Sequence, residues 1–201
     1  MNAAHRAEVS NGIPKYLMSA IALTESGRWD QSSKHGYAWP WTVTAGGKGK
    51  FFRSKMAAVA HVDNLRAQGR SNIDIGCFQI NQHYHPNAFP TLQEGFDARA
   101  NAEYAARFLK SLRRKHGSWT RAVAVYHSST PARGLAYRNR VYDHWQQIKT
   151  AARKQRQMVR LEFRRFRRLR QSYVKAQTAL ARASGKDPSA VVASIFAATS
   201  R

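Results

Sequence analysis

The chain has 201 residues, and 34 Lys or Arg against 11 Asp or Glu give it a formal net charge of +23. A hydrophobic fraction of 43% and five Trp indicate a packed body rather than a disordered polycation. This charge attracts nucleic acid, anionic lipid or an acidic wall polymer, and it does not choose among them. Cys77 is the only cysteine, which excludes an internal disulfide and a CxxC metal or redox site.

The first elements along the chain are a helix and a hairpin. The sequence NGIP at residues 11–14 predicts a helix start with Pro in the first turn, and Gly27 supplies the stop. Residues 37–52, YAWPWTVTAGGKGKFF, place aromatic and β-branched residues on both sides of a glycine-rich turn. This pattern predicts a β-hairpin.

Helices dominate the next hundred residues. Apolar periodicity predicts them at residues 54–68, 96–116, 119–127 and 136–152, while residues 71–86, SNIDIGCFQINQHYHP, are typical of an extended or turn segment. The fold class is therefore mainly α, with one small hairpin.

The composition changes near Lys149. Residues 150–201 hold 13 Lys or Arg and two acidic residues, a net charge of +11, which leaves +12 for residues 1–149. An apolar helical stripe runs through this segment beside many arginines, and ASGKDPSA at residues 183–190 breaks the helix. We interpret residues 1–149 as the globular domain, with a hairpin insertion at about residues 37–53. Residues 150–201 are interpreted as a basic amphipathic helix followed by a weakly ordered tail.

Glu25 is the first candidate for chemistry. Leu17, Ile21 and Glu25 lie one above another on the predicted helix, so the carboxyl extends an apolar stripe. Partial burial would raise the pKa of Glu25 toward the range that a general acid needs. A surface acid near a helix end is the alternative, although the helix dipole disfavours an acid at this end.

A second candidate is Gln79 in IGCFQIN, residues 75–81. Its amide is suited to a hydrogen bond with a polar ligand, and equally to satisfying backbone groups in a turn. The sequence HYH contains a histidine pair, His83 and His85, but no acidic partner stands nearby, so we expect neither a metal nor a cofactor.

Five short segments in a fixed order resemble the soluble lytic transglycosylase family, enzymes with a lysozyme-like fold that cleave peptidoglycan. In chain order they are ES at residues 25–26, GCFQI at 76–80, NA at 101–102, VYH at 125–127, and Tyr137 followed by Val141. The resemblance covers roughly residues 10–148. It implies a lysozyme-like helical domain with Glu25 as the single catalytic residue.

The resemblance also implies roles for other residues. Ser26 would orient the Glu25 carboxyl or the substrate N-acetyl group, and Tyr137 would hydrogen-bond near Glu25. Further substrate-binding residues would be Phe78, Gln79, Asn101, Tyr126 and His127. The chain departs from the family pattern in having Cys77 and Phe78 in place of Leu and Met, and His127 in place of Asn.

The spacing between Glu25 and Gly76 is longer than is usual in the family. The surplus contains the predicted hairpin, which resembles an insertion in a proteobacterial subgroup of these enzymes. Trp39 and Trp41 either line the glycan groove and stack on sugar rings or form a separate aromatic core beneath the hairpin. The sequence leaves these two interpretations open.

The activity implied by the resemblance is cleavage of the MurNAc-β-1,4-GlcNAc bond, with Glu25 as acid and then base, to give 1,6-anhydromuramoyl ends. The partner would be peptidoglycan glycan strands. Met1 to Ser10 is polar and no stretch approaches about 18 apolar residues, so we expect neither a signal peptide nor a membrane span in this chain. The substrate itself points to the periplasm, with a lost or removed leader.

Two other functions fit the sequence. A hydrolytic muramidase would use the same Glu25 with a water molecule. A basic binding protein would act through RLEFRRFRRLR, which runs from Arg160 to Arg170. That segment favours docking on the body, an anionic membrane surface or a protein partner over nucleic acid. The sequence does not give the oligomeric state.

Overall fold

The protein is described by a computed structural model over residues 3–32 and 35–198. It is mainly helical, with 66% of its residues in helices and a small region of two β-sheets, which confirms the predicted fold class at this level. The helices are α1 (Ala3–Asn11), α2 (Leu17–Ser26), α3 (Lys55–Ala67), α4 (Leu92–Gly95), α5 (Ala98–His116), α6 (Trp119–His127), α7 (Pro131–Ala183) and α8 (Pro188–Ala198). The strands are β1 (Gly27–Asp30), β2 (His35–Ala38), β3 (Thr42–Ala45), β4 (Lys48–Phe51), β5 (Ile73–Ile75) and β6 (Ile80–Asn81). The chain divides into two compact units, Met1–Lys149 and Thr150–Arg201.

The sheets differ in part from the predicted hairpin. Strands β3 and β4 form an antiparallel hairpin whose turn glycines, Gly46 and Gly47, both have positive φ, as the favoured two-residue hairpin turn requires. The sheet continues from β3 to β5 and β6. Strand β2, which holds Tyr37, pairs instead with β1 directly after α2. The region predicted as one hairpin therefore contributes to two sheets.

The start of the chain differs from the sequence prediction. Residues 3–11 form α1, and α2 begins only at Leu17 rather than in the Pro14 turn. Glu8 of α1 is 1% exposed and accepts hydrogen bonds from the backbone N–H groups of Met18, at 2.9 Å, and Ser19, at 3.4 Å. A carboxylate at this position satisfies amides that the first turn of α2 leaves unpaired. The cap comes from a neighbouring helix, so local sequence patterns do not reveal it.

Two apolar cores lie in the first unit. The larger core joins α1, α2, α5, α6 and the first turns of α7, and it is built around residues such as Leu17, Ile21, Phe78, Leu109 and Val141. The smaller core lies between α3 and the four-stranded sheet, and it contains Val43, Val62, Ile73, Ile75 and Phe96. The segment between β5 and β6 lies where the two cores meet.

The second unit contains most of α7 and all of α8. The sequence predicts a helix at residues 136–152 and a separate basic helix, whereas α7 is one continuous helix that ends at Ala183. Gly185 has a φ of 69°, consistent with the predicted break. Residues 188–198, which the sequence predicts as part of a weakly ordered tail, form α8, where Asp187 accepts a hydrogen bond from the Ser189 amide and Pro188 opens the helix. No described helix is both long and apolar enough to cross a membrane.

Candidate active site

A cleft of about 740 Å³ in the first unit brings together segments that are far apart in the chain. Four of the predicted site residues line it, namely Glu25, Gln79, Tyr126 and His127. Side chains without a predicted role also line it, among them Asp74, His85 and Arg133. The cleft therefore brings predicted and unpredicted polar side chains together in one site.

Glu25 lies in the last turn of α2 and is partly buried at the cleft. Burial raises its pKa from 4.5 to about 7, and the negative charge of Asp74 adds to this rise. The Tyr137 hydroxyl opposes the rise by donating a hydrogen bond of 2.7 Å to Glu25 Oε1. Glu25 is therefore a carboxyl that can hold or release a proton near neutral pH.

Tyr137 is a rigid donor to Glu25. It is 1% exposed, and burial raises the pKa of its hydroxyl well above the ordinary value, so the hydroxyl keeps its proton. Its ring stacks on His127 at a centroid distance of 4.6 Å and an interplanar angle of 7°. Burial, with the charges of Arg140 and Arg133, lowers the pKa of His127, so this imidazole is neutral at pH 7.

The approach of α7 to α6 places Tyr137. A Cβ added at Gly134 would lie 2.9 Å from the Ala124 carbonyl oxygen and 3.0 Å from that of Ser128. The two backbones are in contact at this point, so a side chain would push α7 away from α6. Tyr137 follows three residues later on the same face of α7.

Ser26 contacts the backbone rather than the cleft. Its Oγ lies 2.8 Å from the Cys77 carbonyl oxygen and 3.1 Å from that of Ala22, and its side chain is buried. It is absent from the described residues that line the cleft. This geometry favours a structural role, in which Ser26 fixes the end of α2 to the segment between β5 and β6.

Asn101 organises that segment from the buried side. Its amide nitrogen donates to the carbonyl oxygens of Ile75, at 3.2 Å, and Gly95, at 2.9 Å. Its side-chain oxygen accepts from the Phe78 amide at 2.9 Å. Asn101 and Phe78 are 0% and 1% exposed, and neither is among the described residues that line the cleft, so both support the site from its buried side.

Gln79 and Tyr126 face the cleft with part of their hydrogen-bonding capacity already used. Gln79 has an unusual φ of 48°, and its amide nitrogen donates to the carbonyl oxygens of Gly76, at 2.8 Å, and Thr42, at 3.3 Å. The side-chain oxygen is the group that Gln79 can offer to a ligand. The Tyr126 hydroxyl donates to the Phe78 carbonyl oxygen at 2.9 Å.

The hairpin tryptophans form an aromatic cluster of their own. Trp39 and Trp41 pack edge to face with centroids 5.4 Å apart, and the Trp39 indole N–H donates to the Phe52 carbonyl oxygen at 2.6 Å. Trp41 and Phe52 also pack against the smaller core. Neither tryptophan is among the described residues that line the cleft. Of the two interpretations that the sequence leaves open, this geometry favours the separate aromatic core over the glycan-stacking position.

Asp74 is a site residue that sequence reasoning missed. It lines the cleft, and burial raises its pKa, while a 2.7 Å hydrogen bond from Asn81 Nδ2 partly offsets that rise. The alternation Ile73-Asp74-Ile75 is the sequence pattern that could have identified Asp74, because Ile73 and Ile75 are fully buried on one face of β5. The carboxyl must then lie on the opposite face of the strand.

The two histidines of HYH have different partners. His83 Nδ1 lies 3.4 Å from Ser71 Oγ, and His85 Nδ1 lies 2.9 Å from the Tyr104 hydroxyl. Among the described residues, no group of three or more His, Cys, Asp or Glu is placed to hold a metal ion.

The cleft thus contains one carboxyl with a pKa near neutrality, a second carboxyl close enough to influence it, and a neutral imidazole stacked on the tyrosine that holds the first. Such a site can donate a proton to a bound ligand and take one back. No protein-family model, curated protein or solved structure matches the chain.

Proposed function

We propose that the chain is a peptidoglycan lytic transglycosylase with a lysozyme-like body, in which Glu25 is both general acid and general base. The observation that carries the proposal is the hydrogen bond between Tyr137 and Glu25, in a cleft that raises the pKa of Glu25 to about 7. Near neutral pH both protonation states are populated, as one group with two successive roles requires. The substrate would place the protein in the periplasm.

The reaction begins with proton donation. Protonated Glu25 gives its proton to the glycosidic oxygen between N-acetylmuramic acid and N-acetylglucosamine, and the bond from C1 to that oxygen breaks. The N-acetyl oxygen of the substrate stabilises the positive charge at C1. Ionised Glu25 then removes the proton of the C6 hydroxyl, whose oxygen bonds to C1. The products are a 1,6-anhydromuramoyl end and a protonated Glu25, and no water is consumed.

Other residues of the cleft would bind the glycan strand. The Gln79 side-chain oxygen can accept from a sugar hydroxyl or amide, and neutral His127 can contact an N-acetyl group. Arg133 lies in the same cleft and would meet the carboxylates of the peptide stems. The net charge of +12 on residues 1–149 favours such an acidic polymer.

Digestion of purified sacculi by the wild type and Glu25→Gln tests the proposal. We expect anhydro ends from the wild type, and a rate about three decades lower in the variant, because the acid and base functions are lost together. Mass analysis of the released muropeptides gives both results. Glu94→Gln is the matched control, since Glu94 is exposed on α4 and lies outside the cleft-lining set. Full activity in Glu25→Gln would remove Glu25 from the mechanism.

Asp74 favours a second candidate, a hydrolytic muramidase. Its carboxyl lies in the same cleft as Glu25 and raises the pKa of Glu25. In this reaction Asp74 would take a proton from water, the water oxygen would bond to C1, and Glu25 would protonate the leaving oxygen. The new end would be reducing rather than anhydro.

Digestion in H₂¹⁸O separates the two reactions. Transglycosylation predicts anhydro ends with no ¹⁸O and little effect of Asp74→Asn on the kind of end produced. Hydrolysis predicts reducing ends that carry one ¹⁸O, and at least about a hundredfold lower rate in Asp74→Asn, the usual size of a general-base effect. Labelled reducing ends as the only product would replace the first proposal with the second.

A further inference from the structure

We propose that the part of α7 in the second unit, residues 153–182, is an interfacial helix that binds an anionic lipid surface. The inference rests on the faces of this helix and not on the cleft, so it stands independently of the proposed function. Thirty helical residues span about 45 Å, which is enough for a helix to lie along a membrane surface.

The apolar face of this segment is exposed. Its members follow one another at steps of three, four or seven residues, so they lie on one side of the helix. Each is between 54% and 62% exposed: Val159, Phe163, Phe166, Leu169, Tyr173 and Leu180. A stripe that includes Phe, Tyr and Leu has the composition of a face that enters the region between headgroups and acyl chains.

The opposite face is strongly basic. Residues 153–182 contain 11 Lys or Arg, and Glu162 is their only acidic residue, which gives a net charge of +10. At 100° per residue, the side opposite the apolar stripe carries Arg153, Arg160, Arg164, Arg167, Arg168, Lys175 and Arg182. An apolar stripe opposite a basic face, on a helix of low overall hydrophobicity, is the pattern of helices that lie in the plane of a membrane surface.

The same pattern disfavours a second copy of this helix as the partner. Val159, Phe166, Tyr173 and Leu180 recur every seven residues, like one core position of a coiled coil. The second core position would hold Arg156, Phe163, Arg170 and Gln177 in one register, and Glu162, Leu169, Ala176 and Ala183 in the other. Two parallel copies would bring like charges together in the seam in either register, arginines in the first and Glu162 in the second, and two +10 segments would repel each other. An anionic surface fits the charge and the apolar stripe together.

Vesicle sedimentation with the full chain tests the inference. We expect strong binding to phosphatidylcholine vesicles that contain phosphatidylglycerol, and weak binding to phosphatidylcholine alone. Phe163→Ser and Phe166→Ser should each weaken binding to the anionic vesicles about tenfold, because each removes an apolar side chain that would be buried in the interface. The matched control is Leu161→Ser. Leu161 is 56% exposed and lies outside the stripe, so this change should have little effect.

Binding that depends only on charge would overturn the inference. In that outcome the Phe variants and the wild type bind the anionic vesicles equally well, and high salt abolishes the binding. The chain would also bind a DNA duplex of similar charge as strongly as it binds the vesicles. Stoichiometric capture of an acidic protein helix without vesicle binding would assign the face to a protein partner instead. Circular dichroism of each variant confirms that α7 is retained, so loss of the helix does not imitate either result.

Discussion

Glu25 is an acid whose surroundings favour its protonated form. Its pKa rises from 4.5 to about 7, first because it is buried and then because Asp74 is negative. Between these two pH values the folded protein holds a proton that the unfolded chain has lost. Raising the pH through this interval therefore lowers the free energy of unfolding, and the loss is complete above about pH 7.

Replacement of the Glu25 carboxyl by an amide should reveal how much unfolding free energy the folded protein loses when Glu25 ionises. The shift corresponds to about 3 kcal/mol at most, and solvent in the cleft reduces it to about 1–3 kcal/mol. We expect Glu25→Gln to be more stable than the wild type by this amount at pH 8, and to lose the advantage at pH 4.5. Urea unfolding at both pH values measures the difference, and Glu94→Gln should show no such pH dependence. A stability gain of the same size at both pH values would contradict the raised pKa.

The segment between β5 and β6 shows how a short element can carry a site. Gly76 has a φ of 80°, and a Cβ there would clash with the Asn101 side chain. Asn101 in turn holds the carbonyl groups of Ile75 and Gly95 and the amide of Phe78. The next residue, Gln79, enters the cleft with a positive φ of its own. A buried side chain of α5 therefore fixes this conformation together with the hydrogen bond that Gln79 makes to the Gly76 carbonyl within the segment.

Gly76→Ala should be far more damaging than the same change at Gly69. The two glycines have similar φ angles, 80° and 77°, but open space surrounds a Cβ at Gly69. We expect Gly69→Ala to cost about 1–2 kcal/mol from backbone strain alone. Gly76→Ala should cost at least about 2 kcal/mol more, since buried hydrogen bonds of Asn101 must break. Chemical denaturation of both variants gives the comparison, and equal losses would show that Asn101 moves aside without cost.

At the scale of the whole molecule, the positive charge is shared by two units of nearly equal net charge, +12 and +11. The first unit has two apolar cores and a cleft, whereas the second is helical with an apolar stripe that is exposed. A large positive charge therefore accompanies different structures in the two parts of the chain. Among the described residues of the first unit, only Arg133 brings a Lys or Arg side chain to the lining of the cleft, and in the second unit the basic residues line a helix face.

The sequence predicts the helices better than the long-range contacts. The sequence predicts a helix over residues 119–127, and α6 spans these residues, because propensity, capping and periodicity agree there. The start of α2 was missed because its cap, Glu8, comes from another helix. The sequence analysis does not identify Asp74, although the alternation along β5 places it opposite the core. For Trp39 the sequence alone cannot separate glycan stacking from a separate aromatic core, because the distinction depends on packing.

The length of α2 is constrained at both ends. Glu8 accepts hydrogen bonds from the first amides of this helix, and the Ser26 hydroxyl in its last turn donates one to the Cys77 carbonyl oxygen. Glu25 stands between these two anchors. One inserted residue would rotate every later side chain by about 100° and advance it by 1.5 Å, which would turn the carboxyl away from Tyr137. Insertions and deletions in this region can therefore be accommodated in the connection at residues 12–16 but not within α2 itself.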